Sequence, residues 1–138
     1  MFTGLVRTQW CDDGVHMIVL EELTFTDADG RVWKVPAGFV TDGASIPDEF
    51  WSLIGSPFTG KYRVAAVFHD AAYATLGVLK SHADNMLYEA MIALGCSRLT
   101  ADVIYEGVRV GGQSSYDADQ AAAANAANIP TSVTAQVS

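Results

Sequence analysis

The spacing of hydrophobic and polar positions changes partway along the chain. β-Branched and apolar residues predominate over residues 16–26, residues 27–30 have turn composition, and residues 31–35 alternate polar with apolar side chains. Alternation with a period of two is typical of a strand with one buried face, and a polar turn containing Gly joins antiparallel strands. The pattern predicts a β-hairpin, followed by extended chain at 39–41 and a short helix at 48–54.

In the second part of the chain, apolar residues recur every three or four positions, as they do on one face of an α-helix. This spacing predicts three helices, at residues 61–76, 83–94 and about 100–110. Ser81 and Thr100 are suitable N-caps for the second and third helices, and Gly95 is placed to end the second. We therefore expect one α+β domain over residues 1–112, with a small N-terminal antiparallel β-hairpin or sheet packed on two to three α-helices.

Residues 113–138 have a different composition. Ala, Ser, Thr, Asn and Gln predominate, and Lys and Arg do not occur there. So few large apolar side chains cannot offset the entropy lost when a segment becomes ordered by itself. We expect an extended, low-complexity C-terminal arm that is flexible or becomes ordered on a partner.

Charge and hydropathy exclude some partners. The chain has 8 basic and 16 acidic residues and a formal net charge of −8, whereas nucleic-acid binding depends on clusters of Lys and Arg. We expect no nucleic-acid partner, no transmembrane segment, because no long uncharged apolar run occurs, and no signal peptide. Cys11 and Cys96 stand outside any CxxC pair, so two reduced thiols of a cytoplasmically made protein are expected, although their pairing stays open.

The residues with catalytic potential lie within the first predicted helix, in the sequence His69-Asp70-Ala71-Ala72-Tyr73. His69 and Tyr73 share a helix face because they are four residues apart, and Asp70 is rotated by about 100° from His69. If the next helix packs antiparallel through a short connection, Asp84 approaches His69. A histidine oriented by one carboxylate, beside a second carboxylate that can hold a cation, is an arrangement that activates water.

Two interpretations of this group stay open. It is either a functional site or an internal polar network that fixes the packing of two helices without catalysis. Asp42 also has two interpretations. It is either a third carboxylate at the site of His69, Asp70 and Asp84, giving a hard-oxygen or mixed His/Asp metal cluster, or, together with Ser45, a cap for the short helix that begins near Pro47.

The His-Asp-x-x-Tyr sequence, with Ala83-Asp84 on the following helix, resembles the active-site signature of phospholipase A2. The disulfide-free, virus-encoded members of that family are the most similar. The resemblance implies that His69 is the general base, that Asp84 orients it and that Tyr73 hydrogen-bonds to Asp84. It also implies that Asp70 binds Ca²⁺, which would stabilise the oxyanion formed when water attacks an ester. The Gly-x-Gly-Gly loop that supplies further calcium ligands in those enzymes is absent from this sequence.

A second resemblance covers residues 3–112. The sequences at 35–47, 69–73 and 83–91 are similar to an uncharacterised phage and prophage family known as domain of unknown function 1353. That resemblance implies a gene of a tailed phage or prophage and no particular reaction. We therefore expect a virion-associated structural or accessory protein, made in the host cytoplasm, whose residues 113–138 anchor it to other phage structural proteins. The alternative expectation is a Ca²⁺-dependent, phospholipase A2-like hydrolase that acts on phospholipid of the host envelope.

Overall fold

The computed structural model describes residues 2–3, 8–10, 16–41, 46 and 63–137, with side chains of the last helix described as far as residue 127. Six short strands in these residues form two three-stranded antiparallel sheets. The strands are β1 (Phe2–Thr3), β2 (Thr8–Trp10), β3 (Met17–Val19), β4 (Leu23–Thr26), β5 (Val32–Val35) and β6 (Val40–Thr41). The first sheet has the order β1-β4-β5 and the second β2-β3-β6.

The predicted hairpin is present as β4 and β5. Phe25 pairs with Trp33 in its register, and both side chains are buried. In the turn, the Asp27 carboxylate accepts hydrogen bonds from the backbone N–H groups of Asp29 and Arg31. The strand expected over residues 16–26 is divided between the two sheets, because β3 pairs with β2 and β6 whereas β4 pairs with β1 and β5.

Four helices follow within the described residues: α1 (Arg63–Tyr73), α2 (Lys80–Ala93), α3 (Arg98–Gly111) and α4 (Gln113–Val137). Two predicted N-caps are wrong. Helix α2 begins before Ser81, and its cap residue, Leu79, makes no side-chain cap hydrogen bond. Helix α3 is capped by Ser97, whose hydroxyl accepts a hydrogen bond from the backbone N–H of Thr100. Gly95 ends α2 as predicted, with a φ of 90° that only glycine adopts without strain.

The hydrophobic core lies between the first sheet and the helices. Helix α1 contacts β5 and β6 on one side and α2 on the other, and α2 in turn packs on α3. The largest fully buried side chains are Tyr73, Phe68, Leu23, Ile46, Met86, Leu87, Met91 and Ile104. The fold is therefore α+β, as predicted, and α1 is the element that contacts the first sheet as well as α2 and α4. The short helix expected at 48–54 lies outside the described residues.

The C-terminal segment begins as helix α4, and its role as a flexible or partner-ordered arm stays a prediction. Residues 121–124 are all Ala, the residue with the highest helix propensity, so local propensity favours α4 although the segment has few apolar side chains. The start of α4 also contacts the core: the Tyr116 hydroxyl donates a hydrogen bond to the Val78 carbonyl at 2.7 Å. None of the described helices is long and apolar enough to span a membrane.

Candidate active site

The interface of α1 and α2 encloses a histidine–aspartate pair. His69 Nε2 lies 2.8 Å from Asp84 Oδ1, and the Tyr73 hydroxyl donates a hydrogen bond to the same oxygen at 2.6 Å. All three side chains are buried, with His69 and Tyr73 both 0% exposed. The four-residue spacing on α1 and the short connection to α2 predicted this proximity, and the structure confirms it.

Lys80 completes the cluster and was missed by the sequence analysis. Its ammonium group lies 2.8 Å from Asp84 Oδ2 and also donates hydrogen bonds to the carbonyl oxygens of Val108 and Arg109 at the end of α3. A cation there is favourable because the last carbonyl groups of a helix carry partial negative charge. The signal was the four-residue spacing of Lys80 and Asp84, which was hidden because the second helix was predicted to begin after Lys80.

The pKa values of Asp84 and Tyr73 are shifted in opposite directions. Burial raises the pKa of Asp84, but hydrogen bonds from His69, Lys80 and Tyr73 outweigh burial and hold that pKa below its ordinary value of 3.8. Burial, followed by the hydrogen bond to the Asp84 anion, raises the pKa of Tyr73 far above its ordinary value of 10.0. Asp84 is therefore a carboxylate that can only accept hydrogen bonds. It follows that His69 Nε2 is the donor in the hydrogen bond to Asp84.

Asp70, the predicted calcium ligand, lies on another side of α1. One of its carboxylate oxygens accepts a hydrogen bond from the Thr41 hydroxyl at the end of β6, and the pair is buried. Asp42 follows Thr41 in the chain and, like Ser45 and Pro47, lies outside the described residues, so both interpretations of Asp42 stay predictions. Across residues 16–41 and 63–127, no three His, Cys, Asp or Glu side chains are grouped to hold a metal ion. The described residues alone therefore do not fit a calcium site.

Gly112, between α3 and α4, packs directly on the site. A Cβ atom added there would lie 2.8 Å from the Tyr73 hydroxyl oxygen and 2.5 Å from the Val108 carbonyl oxygen. Both distances are too short for any side chain. The sequence indicated a helix end at Gly111-Gly112, and the structure shows that both the Val108 carbonyl, four residues earlier, and the Tyr73 hydroxyl exclude a side chain at position 112.

Comparisons with known proteins find uncharacterised relatives. The "Uncharacterized protein y4jT" of Sinorhizobium fredii (strain NBRC 101917 / NGR234) is 38% identical over 91 residues, which are 66% of this chain and 27% of that protein. The "Uncharacterized protein y4iH" of the same strain is 28% identical over 96 residues, 70% of this chain and 40% of that protein. The chain thus spans less than half the length of these relatives. No solved structure matches it significantly.

A family model provides the assignment. The model described as "Protein of unknown function (DUF1353)" matches residues 17–108. That range runs from β3 to the last turn of α3 and contains His69, Tyr73, Lys80 and Asp84. The chain belongs to the DUF1353 family.

Proposed function

We propose that this domain is a hydrolase of lipid esters in which His69 is the general base. One observation carries the proposal: His69 Nε2 lies 2.8 Å from the Asp84 carboxylate, which also accepts a hydrogen bond from Tyr73. This is the arrangement that the resemblance to phospholipase A2 implies. In many hydrolytic sites a second group holds the general base in the correct tautomer and orientation.

In the proposed reaction, Nδ1 of His69 removes a proton from water while the water oxygen attacks the ester carbonyl carbon. The tetrahedral intermediate collapses as the bond from carbon to the alcohol oxygen breaks, and His69 returns its proton to that oxygen. Asp84 stabilises the imidazolium that forms between these steps. Lys80 and Tyr73 hold the Asp84 carboxylate in place and are positioning residues.

The proposed reaction requires that substrate and water reach His69, which is buried. His69 is fully buried, so water and ester must gain access to its Nδ1 atom. Residues 42–45 and 47–62, which include the predicted ligand Asp42, lie outside the described residues, and they directly follow the strand that contacts Asp70. The proposed hydrolysis is therefore to be measured both with and without Ca²⁺.

The experiment is release of fatty acid from phosphatidylglycerol vesicles, in millimolar Ca²⁺ and separately in chelator. We expect the wild-type domain to release fatty acid in at least the calcium arm, and His69→Gln to lose about 100-fold or more of the rate, since general acid–base catalysis contributes about that much. His82→Gln is the matched control, because His82 makes no contact with Asp84 among the described hydrogen bonds. Release by the wild type no faster than by His69→Gln in both arms would overturn the proposal.

We propose as a second function a structural role in a phage particle. The arrangement of α4 favours it, because its start contacts the core and its continuation is exposed. The side chains of Tyr116 and Gln120 donate hydrogen bonds to backbone carbonyls of the preceding helical region. Most side chains over 121–127 are exposed. An anchoring segment would use that exposed part. The test is co-sedimentation with particles of the full chain and of a chain that ends at residue 120, which keeps the contacts of Tyr116 and Gln120. Equal recovery of both in the particle-free supernatant would contradict the proposal.

A further inference from the structure

A groove of about 530 Å³ lies beside the candidate active site and is not part of it. It runs along β5, the end strand of the first described sheet, and is closed on the other side by α1 and by the connection between α1 and α2. Its volume is within the range of small-molecule sites. His69, Asp84 and Lys80 are not among the residues that line it.

The apolar lining of the groove is continuous from floor to rim. Trp33, Phe68 and Ala72 form a buried floor, and Val32 and Leu79 form a rim at which each is more than half exposed. Apolar side chains exposed together beside a concave surface are typical of a binding site rather than of an ordinary protein surface.

The charged lining of the groove has one sign. Arg31 and Lys34 line it, and none of the described lining residues is acidic, although the chain as a whole has a net charge of −8. Asp27 is the acidic neighbour, and its carboxylate is engaged by the Trp33 indole N–H at 3.0 Å and by the Arg31 backbone N–H at 2.9 Å. The guanidinium of Arg31 lies 5.5 Å from the centre of the Trp33 ring, at the mouth of the apolar floor.

We propose that this groove binds an aliphatic carboxylate. The hydrocarbon chain lies against Phe68, Ala72 and Leu79, and the carboxylate faces Arg31 and Lys34. An apolar body and a single anionic end match the two linings of the groove, and arginine is well suited to a carboxylate because its donors are fixed in a fork. The site goes beyond the proposed hydrolysis and does not depend on it.

Calorimetric titration with decanoate tests the proposal. The wild-type domain is expected to bind decanoate, and the double variant Arg31→Gln/Lys34→Gln to bind it about tenfold more weakly or worse, since hydrogen bonds between charged groups are stronger than those between neutral groups. Arg98→Gln is the matched control, because it removes one positive charge at an exposed position outside the groove. Decanol, which has the same chain without the charge, should bind the wild type and the double variant equally.

Amide chemical shifts locate the ligand. Decanoate should shift the backbone amides of Ala72, Thr75 and Gly77, which line the groove. His69→Gln should keep decanoate binding, so failure of the hydrolase proposal would leave this one standing. Equal decanoate affinity in the wild type and the double variant, or shifts confined to other parts of the domain, would overturn the groove assignment.

Discussion

His69 Nε2 and Asp84 Oδ1 lie 2.8 Å apart, although fifteen residues separate the two side chains in sequence. The same carboxylate accepts hydrogen bonds from Tyr73 and Lys80, so Asp84 is the centre of the cluster rather than one member of a pair. Removal of a single partner leaves buried polar groups without their counterpart.

Replacement of Asp84 should therefore be severe. Asp84→Asn leaves the ammonium of Lys80 without its counter-charge, and loss of one partner of a buried pair costs about 3–5 kcal/mol. Urea unfolding followed by circular dichroism measures the loss. Asp102→Asn is the control, because Asp102 is exposed on α3 and surface changes usually fall within about 0.5 kcal/mol. Equal stability of the two variants would contradict the central role of Asp84.

Acid should weaken the fold through the same carboxylate. The pKa of Asp84 is lowered in the folded protein from its ordinary value of 3.8, so its contribution is present above that value and is lost as the pH falls through the lower, folded-state pKa. We expect the free energy of unfolding of the wild type to fall more steeply below about pH 4 than that of Asp84→Asn. Parallel curves for the two proteins would show that Asp84 is not held as an anion.

High pH should also lower the free energy of unfolding, in this case through ionisation of Tyr73. Its folded-state pKa is raised above the ordinary value of 10.0, so its contribution is complete below that value and declines as rising pH ionises the unfolded chain. Tyr73→Phe should show a smaller decline in unfolding free energy above about pH 10 than the wild type does. Equal declines for Tyr73→Phe and the wild type would contradict a Tyr73 hydroxyl that burial and the Asp84 anion keep protonated.

A methyl group at Gly112 should displace Tyr73. The added Cβ atom of Gly112→Ala would lie 2.8 Å from the Tyr73 hydroxyl oxygen, and overpacking of this kind costs about 1–3 kcal/mol. Gly111→Ala is the control, because Gly111 is exposed at the end of α3. Thermal unfolding should show a loss for Gly112→Ala and none for Gly111→Ala. A Gly112→Ala protein as stable as the wild type would contradict the close packing of α4 on the site.

Periodicity predicted the features that depend on local spacing. The alternation around Trp33 identified the hairpin, and the four-residue spacing of His69 and Tyr73 placed both on the face that meets Asp84. Lys80 was not identified because the start of α2 was predicted three residues too late. The cap residue of α2, Leu79, makes no side-chain hydrogen bond, so no capping motif in the sequence marks the start of the helix.

Other differences have causes that hydrophobic periodicity does not report. The break between β3 and β4 depends on which strands become neighbours, and pairing partners are not encoded in the alternation of a single strand. In the C-terminal segment, the high helix propensity of Ala and the contacts of Tyr116 favour helix α4 despite the low apolar content. The need for glycine at position 112 arises from the Val108 carbonyl and also from Tyr73, a residue distant in sequence whose approach no local pattern predicts.

The tautomer of His69 is the most direct test, because the proposed reaction requires a basic Nδ1. Nitrogen-15 spectra of the imidazole rings, recorded near neutral pH for the wild type and for His69→Gln to assign the signals, report which nitrogen carries a proton. The account predicts for His69 a proton on Nε2, donated to Asp84. A proton on Nδ1 with Nε2 unprotonated would contradict it, since Asp84 would then have to be protonated and His69 could not act as the base.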